Sequence, residues 1–465
     1  MTRTVRLLLT LGIGVALWFA PTPQGVTPDA WHLVAIMTAT IAGFILNPFP
    51  IGAVAFMGLI ALSLTRTMSM GDVLSGFSNT LLWLIVMAFM FSRAFLNTGL
   101  GKRIALTIIS LIGDSTPKVG YAFTLSGCVL SPVIPSGTAR AGGIIFPILR
   151  GICSSMGSEP GNNPGKAGRF LIQTYFQAEC FISYLFMTSM AGNVLVVALA
   201  KDAGTDLTWG TWALAALVPG LVGVITVPLA MYHLCPPEQK KSPEAKAEAI
   251  RGLAELGPMS FHEKVLCVIF CSSTILWATG DFTGLSSTLV GLMAVATMII
   301  FGILSWQDVL GEKSAWDTFV WMGALITMAG ALSSKGFIGW LGDSMGGLFS
   351  GMDWMLALFI IALFFNYTQY AFASSTAHLV GLYSACLAVA IAAGAPAMLA
   401  ILLLAFLANT PAALTQYSCG FAPIFFEAGY FSVSEWWRVG FIMSWLHFFT
   451  VCIFGPFWWK FLGLW

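Results

Sequence analysis

Residues 135–143 read PSGTARAGG, and residues 373–381 read ASSTAHLVG. Each stretch holds Ser-x-Thr-Ala, then a basic side chain, then a glycine three positions further on: Arg140 with Gly143, His378 with Gly381. Both lie in strongly apolar sequence. Backbone that leaves the helix at membrane depth finds no water, so such breaks persist only where they are buried in protein or line a cavity.

The surrounding chain is that of a membrane protein. Of its 465 residues 58% are apolar and only 9% are Asp, Glu, Lys or Arg, against about 25% charged residues in a soluble domain. The fold class is therefore all-α and polytopic. Apolar runs near the roughly 17–25 residues of a spanning helix lie at 5–20, 28–46, 51–67, 80–97, 170–199, 210–234, 264–279, 285–305, 316–333, 397–419 and 436–462. The first follows Arg3 and Arg6 as a signal peptide would. No small-residue cleavage site follows it, so a retained helix is expected. The net charge of +1 and the lack of a basic stripe give nucleic acid nothing to bind. Nine scattered cysteines include Cys267 and Cys271 one turn apart, without paired Cys-x-x-Cys units or histidine partners. They read as packing residues, and no metal or cofactor is expected.

The two interrupted stretches, about 119–150 and 354–395, are expected to be re-entrant hairpins, which leaves about eleven crossings. With the N-terminus in the cytoplasm and the C-terminus outside, fifteen Lys and Arg residues fall inside and four (Arg66, Lys201, Lys335, Lys460) outside. That asymmetry follows the positive-inside rule and places the chain in the cell's inner (plasma) membrane. The polar segment 236–263, with a surface helix in PEAKAEAIRGLAEL, reads as a cytoplasmic connector. The halves echo each other: DVLSGFSNTLLW (72–83) with DVLGEKSAWDTFVW (308–321), and NTGLG (97–101) with SKGFIG (334–339). Two inverted-topology repeats are expected, 71–235 and 308–465, with further helices at 1–70 and 264–307, a plan shared by many secondary transporters.

At each tip a restarted helix points free N–H groups and a positive dipole end at whatever fills the turn. Ser136, Gly137 and Thr138 form the first tip, and Ser374, Ser375 and Thr376 the second. Two such termini facing one cavity suit a dianion, one carboxylate per tip. Arg140 could fork onto a carboxylate, and His378 stands at the matching place as a hydrogen-bond donor or charge. Asn193 and the Asn409-Thr410-Pro411 run sit in long spans near the same depth, where Pro411 should break its helix. These twelve residues are the candidate binding set.

In SGFSNTLLWLIVMAFMFSRAFLNTGLGKRIAL, SPVIPSGTARAGGIIFPI, MTSMAGNVL, YAFASSTAHLVGLY and GYFSVSEWWRVGFI the chain resembles the divalent anion/sodium symporter family. The similarity runs to its branch of bacterial anion permeases and plastid 2-oxoglutarate/malate translocators. The resemblance implies a homodimer, a static scaffold, a transport domain moving elevator-fashion, and di- or tricarboxylate substrates. It also implies Ser-Asn-Thr at the tips, where the family's asparagines help bind sodium and substrate. Here those positions are Gly137 and Ser375. The expectation is sodium-independent exchange of dicarboxylates. Sodium-coupled symport, with ions near Ser136, Gly137, Ser374 and Ser375, is the alternative. A sulfate-type oxyanion carrier and an anion channel are more remote, and an enzyme finds no His-Glu-x-x-His or nucleophile–base set.

Overall fold

The computed structural model describes residues 2–202, 204–349 and 351–465, and every regular element among them is a helix. Among the described residues eight helices are long and apolar enough to cross a bilayer, and four shorter apolar helices accompany them. The first apolar run forms Arg3–Trp18, and others emerge at Pro28–Leu46, Thr80–Thr98 and Lys313–Ser334. Their starts are fixed locally. Thr27 accepts a hydrogen bond from the Ala30 N–H ahead of Pro28, and capping boxes pair Ser260 with Glu263, Ser305 with Asp308, and Ser432 with Glu435. Each satisfies N–H groups that a helix start leaves free.

Two expected spans are not continuous. The run 170–199 divides into Gly168–Ile182 and Ala191–Asp202, and the run 397–419 into Ala397–Leu407 and a 3-10 turn at Thr410–Ala413. Pro411, which lacks an N–H, accounts for the second break. The first contains no proline and has a tertiary cause described below.

One element order occurs twice. A short helix (Met70–Val73, Trp306–Gly311) leads into a span (Thr80–Thr98, Lys313–Ser334) and then a second helix (Leu100–Ile112, Phe337–Gly346). Next comes a helix–turn–helix unit (Thr116–Leu130 to Phe146–Ser155, Trp354–Tyr367 to Ser375–Ala392), and then a broken helix. The joint after each span is a glycine in left-handed geometry, Gly99 at φ 74° and Gly336 at φ 76°. Only glycine adopts that conformation without steric cost, so the matching glycines mark the same turn built twice.

The connector helix is Pro243–Leu256, the stretch read from the sequence, with Ala245, Ala249 and Gly252 buried. A Cβ on Gly252 would lie 3.0 Å from Leu106 Cδ1, so the helix lies close on Leu100–Ile112. Arg103 clamps the far end of the connector. Its Nε donates to Glu263 Oε1 at 2.6 Å and its Nη1 to the Gly257 carbonyl at 3.0 Å, with both side chains largely buried. Arg103→Ala strands Glu263 and those carbonyls, and is expected to cost about 3 kcal/mol. Thermal unfolding in detergent measures it; an unshifted Tm would show that the clamp bears no load.

Candidate functional site

The two tips share a hydrogen-bond pattern at their serines, although the first restarts as a π-helix at Thr138 and the second as an α-helix at Ser375. The Ser136 hydroxyl oxygen accepts from the Ala139 N–H at 3.2 Å, and the Ser136 carbonyl accepts from the Arg140 N–H at 2.8 Å. The Ser374 hydroxyl oxygen accepts from the Ala377 N–H at 3.3 Å, and its carbonyl from the His378 N–H at 3.0 Å. Ser374 is the N-cap of its helix, and Ser136, one place before the Gly137 N-cap, takes up an N–H of the first turn in the same way. Each hydroxyl hydrogen remains available to an acceptor.

Both tips line one cavity of about 200 Å³. Ser136, Gly137, Thr138, Ser374, Ser375, Thr376 and Asn409 form part of its wall, with Phe421 and Gly420 from beyond the second break. Ile51, Phe89, Thr318 and Trp321 close it from the helices outside the two tips. A larger polar basin of about 650 Å³ lies among residues 66–79 and 326–335 and includes neither tip. The matched caps decide in favour of the smaller cavity.

Five of the twelve candidates stand behind this wall. Arg140, expected to fork onto a ligand, is fully buried and spends its guanidinium inside the protein. It pairs with Glu179, donates to the Ile134 carbonyl, and donates to the Ser189 carbonyl at 3.0 Å. Glu179 in turn accepts from the Tyr175 hydroxyl at 2.9 Å. A buried guanidinium needs such a partner, so the expectation that Arg140 faces a ligand is corrected. His378 also lies off the wall. Its Nε2 sits 3.0 Å from Thr368 Oγ1, and its ring packs on Phe365 and Phe372. Thr410 and Pro411 are buried within the second break.

Asn193 is the fifth, and it explains the first break. Its Nδ2 donates to the carbonyls of Ser183 at 2.8 Å and Phe186 at 3.1 Å, while Trp212 Nε1 donates to the Tyr184 carbonyl at 2.8 Å. With Arg140 on Ser189, these side chains take up carbonyls that unwinding frees, as a buried break requires. The second break is served similarly: Gln369 Nε2 and Ser375 Oγ both donate to the Ser418 carbonyl, at 3.1 and 3.0 Å. The two breaks also touch. Asn193 Nδ2 is committed, so its Oδ1 is the acceptor, and Asn409 Nδ2 donates to it at 3.0 Å.

Glu179, Phe421 and Gly420 were not singled out from the sequence. Glu179 carried a signal, since it is the one carboxylate between Arg169 and Lys201 in otherwise apolar sequence, and ionisable groups at membrane depth mark function by default. Phe421 carried none. A Cβ on Gly137 would lie 2.9 Å from Phe421 Cε1 and 3.2 Å from Glu179 Oε1, so the small residue at this tip is what lets the ring close the wall. Gly137→Ala is expected to lower transport about tenfold or more through that overlap, with recovery in the Gly137→Ala/Phe421→Leu double variant. Uptake equal to wild type in the single variant would show that the contact is slack.

Broken helices and paired helix restarts around a small polar cavity are the build of a multi-pass membrane transporter. The chain belongs to the family described as sodium:sulfate symporter transmembrane region, which matches residues 1–465. It is 44% identical over 465 residues to YflS of Bacillus subtilis (strain 168), to which malate transport is provisionally ascribed, covering 100% of this chain and 97% of that protein. It is 40% identical to dicarboxylate transporter 1, chloroplastic, of Spinacia oleracea, covering 99% of this chain and 81% of that one. With inner membrane protein YbhI of Escherichia coli (strain K12) it shares 36% identity over 99% and 98% of the two chains. Among solved structures, the YdaH transporter of Alcanivorax borkumensis superposes with a TM-score of 0.53 at 11% identity, covering 98% of this chain and 96% of that one, a likeness of fold.

Proposed function

We propose that this protein exchanges dicarboxylates across the membrane without sodium. The observation that carries the reading is the pair of helix restarts, each with a serine hydroxyl accepting an N–H three residues on, meeting in one cavity, an arrangement suited to one carboxylate at each end. The names borne by the spinach and Bacillus relatives agree with it. Arg140 supports independence from sodium in a way its sequence position did not suggest. Its guanidinium already occupies carbonyls from the first tip and the first break, oxygens that a bound cation would otherwise need. The same pair cancels Arg140's charge against Glu179, so the substrate's charge is met by helix termini and hydroxyls. In this reading the twelve-residue set divides into a contacting group and a supporting group.

The tips belong to re-entrant hairpins in two inverted repeats, and the unit holding them moves elevator-fashion against a scaffold in a homodimer. With the N-terminus cytoplasmic, Ile51 and Thr318 stand at the inner ends of Ile51–Leu64 and Lys313–Ser334. In this reading both residues line the cytoplasmic side of the cavity. Sodium-coupled symport is the second reading, favoured by buried oxygens without partners near the second tip and break: Asn409 Oδ1, Gln369 Oε1, Thr410 Oγ1 and Thr415 Oγ1. Labelled malate uptake into proteoliposomes separates the two. Uptake is expected to require an internal diacid and to be unchanged when choline replaces sodium. Sodium-driven uptake into empty vesicles would overturn exchange and restore symport.

A further inference from the structure

An apolar groove of about 370 Å³ runs along the first three helices, Arg3–Trp18, Pro28–Leu46 and Ile51–Leu64. Small residues make its floor by letting the helices approach: a Cβ on Gly14 would lie 2.9 Å from the Ala39 Cβ. Leu11, Val15 and Met57 form its walls and remain about half exposed. The three threonine hydroxyls along it, Thr10, Thr40 and Thr65, all donate to carbonyls of their own helices, which leaves a dry surface.

Its length and its charged end select the occupant. From Leu7 to Phe19 the groove follows about 18 Å of helix at 1.5 Å per residue, close to the ~15 Å of one leaflet of a ~30 Å hydrocarbon core. One extended acyl chain matches that length and asks for no polar partner along a dry surface. The Leu7 end carries Arg3 and Arg6. Arg3 lies 4.1 Å over the ring of Phe49, itself part of the groove. Among the described residues neither guanidinium has a carboxylate partner.

We propose that this groove holds one acyl chain of an anionic phospholipid, with the headgroup phosphate on Arg3 and Arg6. The test is native mass spectrometry of the delipidated full chain after adding phosphatidylglycerol or phosphatidylethanolamine of the same chain length. Wild type is expected to retain one phosphatidylglycerol, with roughly tenfold preference over phosphatidylethanolamine. Arg3→Gln with Arg6→Gln should bring the two lipids to parity. Val15→Trp fills the groove from an exposed position, where folding is undisturbed, and should remove both adducts. Equal binding of the two lipids by wild type, or adducts unchanged in both variants, would overturn the proposal. Neither result bears on the transport site.

Discussion

Substituting Arg140 with alanine is expected to abolish measurable transport and to destabilise the protein by about 3–5 kcal/mol, the cost of leaving a buried ionic partner alone. Glu179 would keep the hydroxyls of Tyr175 and Ser183 but no positive charge. The Ile134 and Ser189 carbonyls would lose their donor at the same time, loosening the first tip and the first break together. A second substitution separates these effects. Arg140→Ala with Glu179→Gln removes the stranded charge, so most of the thermal stability should return while transport stays absent. Unfolding in detergent and counterflow in proteoliposomes measure the two quantities. If the single variant kept both stability and flux, the pair would not be what holds the site.

Thr376→Ala should act in the opposite way, with flux falling and stability unchanged. Thr376 and Thr138 line the cavity, and among the described residues neither hydroxyl is hydrogen-bonded within the chain. A hydrogen bond from such a hydroxyl to a carboxylate contributes about 1.5–3 kcal/mol. Its loss should reduce uptake at limiting substrate roughly 10- to 150-fold, with Thr376→Ser close to wild type. Wild-type uptake by Thr376→Ala would remove the second tip from the binding site.

The sequence was most legible where structure is local. Gly99 and Gly336 stand at matching joints, the connector helix begins and ends where PEAKAEAIRGLAEL does, and the serine caps fall on the motifs that drew attention first. It misled where the deciding partner is distant. Arg140 looked like a ligand because nothing beside it is acidic, yet Glu179, on another helix, takes its charge. The first broken span carried no breaker between 183 and 190; the unwinding is sustained by Asn193, Trp212 and Arg140, whose roles appear only once the helices are packed. Phe421 was invisible for the same reason, since its significance lies in pressing on Gly137.

The hydrogen bond between Asn193 and Asn409 has a consequence for how the two breaks move. Both amides are buried, and Asn193 also holds the Ser183 and Phe186 carbonyls of the first break. One side chain thus anchors the first break internally and accepts the hydrogen bond that Asn409 Nδ2 donates from the second. Displacing either break would leave a buried amide group without its partner, at a cost of about 1–3 kcal/mol. The two unwound segments are therefore mechanically joined: a change of shape at one is transmitted to the other through a single latch.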